Sequence, residues 1–170
     1  AVRRWRDLAA PFRRQINDTA APEPSLEYGL YQSLVGAWPF GVPSVASADF
    51  VERFAEYARK AAREAKTATS WLANNADYEA QLDEFVRRLL GSREFLRDFA
   101  QFCGRLDRPG ASNALAQTLL RLCVPGVPDT YQGGELWNQS LVDPDNRRAV
   151  DYELRHRYLH ELKSRIEAPL

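Results

Sequence analysis

The 170-residue sequence predicts a mainly α protein, and three features carry that prediction. Apolar residues recur at three- and four-residue steps along most of the chain, which is the period of amphipathic helices. Residues suited to helix N-caps precede several of these runs, and glycine or proline follows them. At most one short strand, at about 127–131, fits the pattern.

Composition limits the class of protein. Hydrophobic residues make up 45% of the chain and charged residues 27%, which is typical of a globular domain with its own core. Lys+Arg and Asp+Glu number 23 each, so net charge predicts neither a nucleic-acid partner nor a membrane partner. No apolar run approaches the ~20 residues of a membrane span, and no glycine-rich nucleotide motif indicates a cofactor.

The two cysteines, Cys103 and Cys123, each lie within an apolar helical pattern. This placement predicts buried thiols in a reducing cytoplasm, with a disulfide between them as the alternative. The chain has no Met and opens within a helical pattern, so we expect it to be a piece of a longer protein.

The first element is a helix within 1–16, whose length Pro11 limits. It is locally basic, which is typical either of a contact with nucleic acid or membrane or of a solvated helix face. The arginines are Arg3, Arg4, Arg6, Arg13 and Arg14. Residues 17–24 are expected to form a loop.

Ser25 is then expected to cap a short helix that ends near Gly36, and Ser47 to open the longest helix, with a Glu56–Lys60 pair on its outer face. Four further helices are predicted over about 78–90, 92–103, 112–124 and 152–166. The expected N-caps of the last three are Ser92, Ser112 and Asp151.

Residues 124–152 fit neither a helix nor an ordinary linker. Proline and glycine exclude a regular helix over most of the stretch, while its apolar side chains are expected to be buried. These side chains are Val127, Tyr131, Leu136, Trp137, Leu141 and Val142. Planar polar groups lie among them, a mixture that suits the polar edges and apolar faces of a sugar ring. A capped, ion-paired loop is the alternative.

Two helical clusters also carry candidate chemistry. Arg63, Lys66 and Trp71 place cations near an indole, which suits a sugar or, alternatively, a charged helix flank. His156 and His160 have the i,i+4 spacing of metal ligands, but no third ligand is obviously placed, so no metal is predicted.

Four motifs resemble segments of the α-amylase family of glycoside hydrolases. The first resembles its eighth barrel strand, and the others resemble its trehalose-forming transglucosylases. They are PGVPDTYQGGE (125–135), LVDPDNRRAVDY (141–152), KAAREAKTATSW (60–71) with Tyr78 and Glu79 following, and LVGAWP (34–39). The sequence departs from this pattern at Asn75 and Ala149, near or at positions where Pro is usual.

The resemblance implies a parent (β/α)8 barrel in which 1–124 form a helical subdomain and 125–170 the eighth-strand segment, a substrate loop and a helix. It implies intramolecular transglucosylation, which converts the reducing-end α-1,4 linkage of a maltooligosaccharide to α,α-1,1. The retaining chemistry uses three carboxylates on the fourth, fifth and seventh strands, so no catalytic residue is expected in this chain.

The resemblance also assigns eight residues to the maltooligosaccharide site of the parent. They are Asp143, Asp145, Arg147, Arg148, Tyr131, Glu135, Lys66 and Trp71. Another α-amylase-family hydrolase or glucanotransferase, or a free-standing helical interaction module with 1–16 as its contact surface, stays open. The isolated chain is expected to be inactive and to self-associate through apolar faces.

Overall fold

The computed structural model describes residues 1–16, 18–41 and 45–167, and within them the mainly α prediction is confirmed. The helices are α1 (Val2–Ala9), α2 (Pro24–Ala37), α3 (Ala48–Ala65), α4 (Ala76–Gly91), α5 (Arg93–Gly104), α6 (Asp107–Cys123) and α7 (Tyr152–Glu167). Short 3-10 helices cover Ala10–Phe12 and Asp145–Arg147. None of the described helices is both long and apolar enough to cross a membrane.

Two short strands, β1 (Arg14–Ile16) and β2 (Thr19–Ala21), form an antiparallel hairpin in which Arg14 lies opposite Ala21. The predicted loop over 17–24 is therefore wrong at 19–21. Strands of three residues are too short to show an alternating pattern, and the fully buried Ala21 reflects tertiary packing. The predicted strand at 127–131 is also wrong, since the described residues offer it no strand to pair with.

Three of the predicted helix caps are confirmed. The side chains of Ser47, Ser92 and Asp151 accept hydrogen bonds from the backbone N–H three residues on, at 3.2, 3.3 and 2.8 Å. These bonds satisfy N–H groups that the first helical turn leaves without a partner.

The other two predicted starts are wrong. Helix α2 begins at Pro24 rather than after Ser25, because proline has the φ angle that a first helical residue needs. Helix α6 begins at Asp107, five residues before Ser112, and its first turn accommodates Pro109.

The core is formed by α1 to α5 around Trp5, which is 2% exposed. The indole ring of Trp5 lies edge-on to Tyr31 and Phe95, with ring centroids 5.7 and 6.2 Å away. Its N–H donates to the carboxylate of Asp98 at 2.7 Å, so the polar end of this buried side chain is satisfied.

Helices α3 and α4 pack as an antiparallel pair. Three ion pairs join them, and the residue number of the α4 partner falls as that of the α3 partner rises. The pairs are Glu52–Arg87 (2.5 Å), Arg59–Asp83 (3.3 Å) and Arg63–Glu79 (2.6 Å). Helix α3, paired with α4 in this way, also carries Arg53 and Lys60, whose side chains contact residues 143–145.

The C-terminal part of the chain contributes almost nothing to the core. Helix α6 has no buried residue, and Cys123 is exposed, so the prediction of two buried thiols holds only for Cys103. Of the apolar side chains that 124–152 was expected to bury, only Leu141 is buried; Leu136 is half-buried, and the other four are 52% to 100% exposed.

Candidate functional site

Residues 141–148 form a turn that lies against α3, and the carboxylate of Asp145 is its anchor. Arg53 of α3 donates from Nε and Nη2 to the two carboxylate oxygens at 2.6 and 2.9 Å. The backbone N–H of Leu141 donates to the same carboxylate at 2.7 Å. The Asp145 side chain is only 8% exposed, so the turn is fastened to the helix through a shielded ion pair.

Burial opposes ionisation of Asp145, but its hydrogen bonds outweigh that effect. The bonds from Arg53 and from the Leu141 N–H stabilise the carboxylate, so the pKa of Asp145 lies below its ordinary value. Asp145 is therefore a fixed anion at neutral pH. Its bonding capacity is largely used within the protein.

The preceding aspartate is held from the same helix. Lys60 donates from Nζ to the backbone carbonyl of Asp143 at 2.6 Å, and Arg147 forms an ion pair with the Asp143 carboxylate. The predicted Glu56–Lys60 pair is wrong, since the carboxylates near Lys60 among the described residues are those of Glu64 and Asp143, at 3.8 and 3.9 Å. The Lys60 ammonium is directed at the 141–148 turn, where the Asp143 carbonyl accepts its hydrogen bond.

A second turn, over 132–135, is held by Arg155 of α7. Its Nη2 donates to the carbonyl of Gly133 at 2.8 Å and its Nε donates to Glu135 at 3.0 Å. Gly133 has φ +84°, a left-handed conformation that favours glycine. The hydrogen bond from Arg155 lowers the pKa of Glu135.

The two turns enclose an open cavity of about 370 Å³. Its lining includes the side chains of Gln132, Trp137, Asn138, Asp145, Arg148 and Arg155. Guanidinium and amide groups beside an indole are the polar and apolar partners that a sugar ring needs.

Two of the eight predicted site residues, Asp145 and Arg148, line this cavity, and Asp143 and Arg147 belong to the same turn. Glu135 adjoins it through Arg155, whereas Tyr131 is outside the lining and half exposed. The side chains of Arg147 and Arg148 are 69% and 53% exposed, so they are accessible to a ligand.

Lys66 and Trp71 lie apart from the cavity, at the C-terminal end of α3. Lys66 ends the helix in a left-handed conformation, φ 57°, about 9 Å along the helix axis from Lys60. The guanidinium of Arg63 lies 4.7 Å from the ring centre of Trp71, and Glu79 holds that guanidinium through two bonds of 2.7 and 2.6 Å. Trp71 is 58% exposed on this fixed support.

The sequence assigned no site role to Arg53, Lys60 or Arg155, whose side chains hold the two turns. Each stands in a helical segment as one more charged residue. Lys60 and Arg53 of α3 lie 83 and 92 residues before their partners, Asp143 and Asp145. Arg155 of α7 lies 20 residues after its partner, Glu135. Only tertiary structure brings those partners together.

Two other sequence-level candidates gain no support. The described residues contain no group of three or more His, Cys, Asp or Glu side chains placed to hold a metal, and this includes the surroundings of His156 and His160. The basic N-terminal surface is partly neutralised, because Arg4 pairs with Asp98 at 2.6 Å and Arg13 with Glu27 at 2.6 Å.

Comparison with known proteins identifies relatives over most of the chain. No family model matches the sequence. Two proteins of Mycobacterium tuberculosis strains, each described as a putative maltooligosyl trehalose synthase, are 42% identical to it over 145 residues. The match covers 84% of this chain and 19% of each relative.

Solved structures give the same result. Maltooligosyltrehalose synthase from Arthrobacter ramosus has a TM-score of 0.77 and 36% identity, over 99% of this chain and 21% of its own. A hypothetical maltooligosyl trehalose synthase of Sulfolobus tokodaii has a TM-score of 0.73 and 30% identity, over 88% and 19%. The chain thus spans about a fifth of the length of these relatives. Over that fifth, it belongs to the maltooligosyl trehalose synthase family.

Proposed function

We propose that this chain is a segment from the C-terminal half of a maltooligosyl trehalose synthase. In that parent it forms one wall of the site where the reducing-end α-1,4 linkage of a maltooligosaccharide is converted to α,α-1,1. The observation that carries the proposal is the 42% identity to maltooligosyl trehalose synthases over 84% of the chain.

The proposed wall consists of the turns 132–135 and 141–148 around the cavity, with Arg148 in the cavity lining and Arg147 next to it in the same turn. Arg147 and Arg148 offer exposed donors to sugar hydroxyls, while Trp137, 56% exposed, offers an apolar ring face. Asp145 has its oxygens engaged within the protein and shapes the wall from behind. Tyr131, Lys66 and Trp71 are proposed as outlying contacts of a longer oligosaccharide.

We propose that the catalytic carboxylates are contributed by other parts of the parent. Retaining glycosyl transfer needs a carboxylic acid that keeps its proton until it protonates the leaving group, which calls for a raised pKa. Arginine partners lower the pKa of Glu135 and contribute to lowering that of Asp145. These observations argue against either residue serving as the catalytic acid.

We propose that the chain consists of a helical part, 1–124, and a site part, 125–170. Arg53 and Lys60 of the helical part bind the 141–148 turn, so the two parts share the site. A cytoplasmic location is proposed as well, because Cys103 is a buried free thiol, which suits a reducing compartment.

The test is product analysis with the full-length protein that contains this chain. Maltopentaose should lose its reducing end without release of glucose, and the product should carry a terminal α,α-1,1 linkage by NMR. The 170-residue chain alone should give no product. Turnover by the isolated chain would refute the proposed division of labour.

The same assay separates the alternatives. Release of reducing sugars would indicate an α-amylase-family hydrolase, and a ladder of longer and shorter α-1,4 oligosaccharides a glucanotransferase. A full-length protein that leaves maltopentaose unchanged would favour a helical interaction module.

A further inference from the structure

Two side chains on one face of helix α3 bind the 141–148 turn. Arg53 holds the carboxylate of Asp145 through two bonds, and Lys60, seven residues on, holds the backbone carbonyl of Asp143 at 2.6 Å. Seven residues are close to two helical turns, so both side chains project from the same face. The turn is therefore docked as a unit rather than at a single point.

This docking is shielded from water. The side chains of Arg53 and Asp145 are 18% and 8% exposed, and the guanidinium also lies 5.7 Å from the ring centre of Phe50. A partly buried bidentate pair is directional, and removal of either partner leaves a charge without its counter-ion. The position of the turn thus depends strongly on Arg53.

We propose that Arg53 is a positioning residue of the maltooligosaccharide site, acting through Asp145 to hold Arg147 and Arg148 where they meet the sugar. This inference rests on the proposed function. Arg53 itself is directed at Asp145 and not at the ligand. Lys60 assists by fixing the backbone of Asp143, and the helical part of the chain thereby sets the geometry of the sugar-binding wall.

The contact of Arg53 with Asp145, here called the clamp, is tested first in the 170-residue chain, by hydrogen exchange of the Leu141 amide. Arg53→Ala removes the two charged hydrogen bonds that hold the Asp145 carboxylate beside the Leu141 N–H. Exchange of the Leu141 amide should therefore become about tenfold faster or more. Arg53→Lys should restore part of the protection. Arg97→Ala, at an exposed arginine of α5, is the control and should leave exchange unchanged. Unchanged Leu141 exchange in Arg53→Ala would overturn the clamp.

The role in the site is tested in the full-length protein. Arg53→Ala should raise KM for maltopentaose about tenfold or more, with a smaller change in kcat, because binding groups are displaced and reacting acids are not. Arg53→Ala combined with Asp145→Ala should be no worse than the more damaging single variant.

The possible outcomes are distinguishable. A mobile turn with unchanged KM in an active parent would overturn the positioning role alone. A wild-type parent that makes no trehalose-ended product would instead overturn the proposed function, and with it the positioning role, while the Leu141 exchange would still report on the clamp.

Discussion

At the scale of single residues, the site depends on charges that are already paired. Asp145 has its carboxylate bound by Arg53 and by the Leu141 N–H, and Glu135 is bound by Arg155. Because these groups are committed, they fix the shape of the site. Arg147 and Arg148 also pair with aspartates of the turn, Asp143 and Asp145, but their side chains stay 69% and 53% exposed and keep N–H donors for a ligand.

The depressed pKa of Asp145 predicts an acid-sensitive turn. A carboxylate whose pKa is lower in the folded state contributes its full stability above its unfolded pKa, about 4, and loses it as pH falls through the folded pKa. Exchange protection of the Leu141 amide, corrected for intrinsic rates, should therefore be constant near neutral pH and decline below about pH 4.

Asp145→Asn is the matching variant. It removes the titrating group, so protection of Leu141 should be lower at neutral pH and nearly independent of pH. The amide of Leu96 in α5, bonded to the Ser92 carbonyl at 2.9 Å, is an internal reference for the core. Wild-type protection at Leu141 that stays flat through the acid range would contradict the assignment of Asp145 as the anchor.

Among the helices and loops, Asn75 links two segments, near a position where the resembled pattern has proline. Its side-chain oxygen accepts the Tyr78 N–H at 3.1 Å and caps α4. Its backbone N–H donates to the Thr69 hydroxyl oxygen at 3.0 Å, a bond that a proline at this position could not make. Asn75 therefore joins the start of α4 to the loop that carries Trp71.

Loss of this cap should lower the free energy of unfolding. Asn75→Ala is expected to cost about 1 kcal/mol in urea denaturation, and Asn75→Asp should retain most of the cap. Asn113→Ala, at an exposed position inside α6, is the matched control and should be neutral or slightly stabilising. Equal midpoints for wild type and Asn75→Ala would show that the cap contributes nothing.

The helices could be predicted from the sequence, whereas the hairpin and the contacts of the site turn could not. Helix periodicity and capping side chains are local signals, so the sequence predicts α3, α5 and α7 with their caps at Ser47, Ser92 and Asp151. The β1–β2 hairpin was missed because its strands are defined by packing. The 141–148 motif identified the site turn, but its partner Arg53 lies 92 residues away, beyond any local pattern.

At the scale of the whole molecule, the chain divides into a packed half and an open half. Helices α1 to α5 share one core, whereas α6 leaves a row of leucines at the surface. Leu115, Leu119 and Leu122 are 62%, 63% and 64% exposed. A contiguous apolar face of this kind is unusual on a monomer and favours association.

We therefore predict that the isolated 170-residue chain pairs with a second copy through α6. In sedimentation velocity at micromolar concentration, Leu119→Glu should shift the population toward monomer, because a charge would be buried at the contact. Leu72→Glu, at a fully exposed leucine outside α6, is the control and should not. A wild-type chain that is monomeric at high concentration would rule out this contact.

If the 141–148 turn is a wall of a maltooligosaccharide site, Arg148 is the residue whose loss should be felt most directly in substrate use. The measurement is kcat/KM of the full-length protein for maltopentaose, with Arg148→Ala compared with the control Arg97→Ala. We expect a loss of about tenfold to a hundredfold for Arg148→Ala, because a charged hydrogen bond to the ligand is removed, and no change for Arg97→Ala. Equal kcat/KM values for wild type and Arg148→Ala would contradict this expectation.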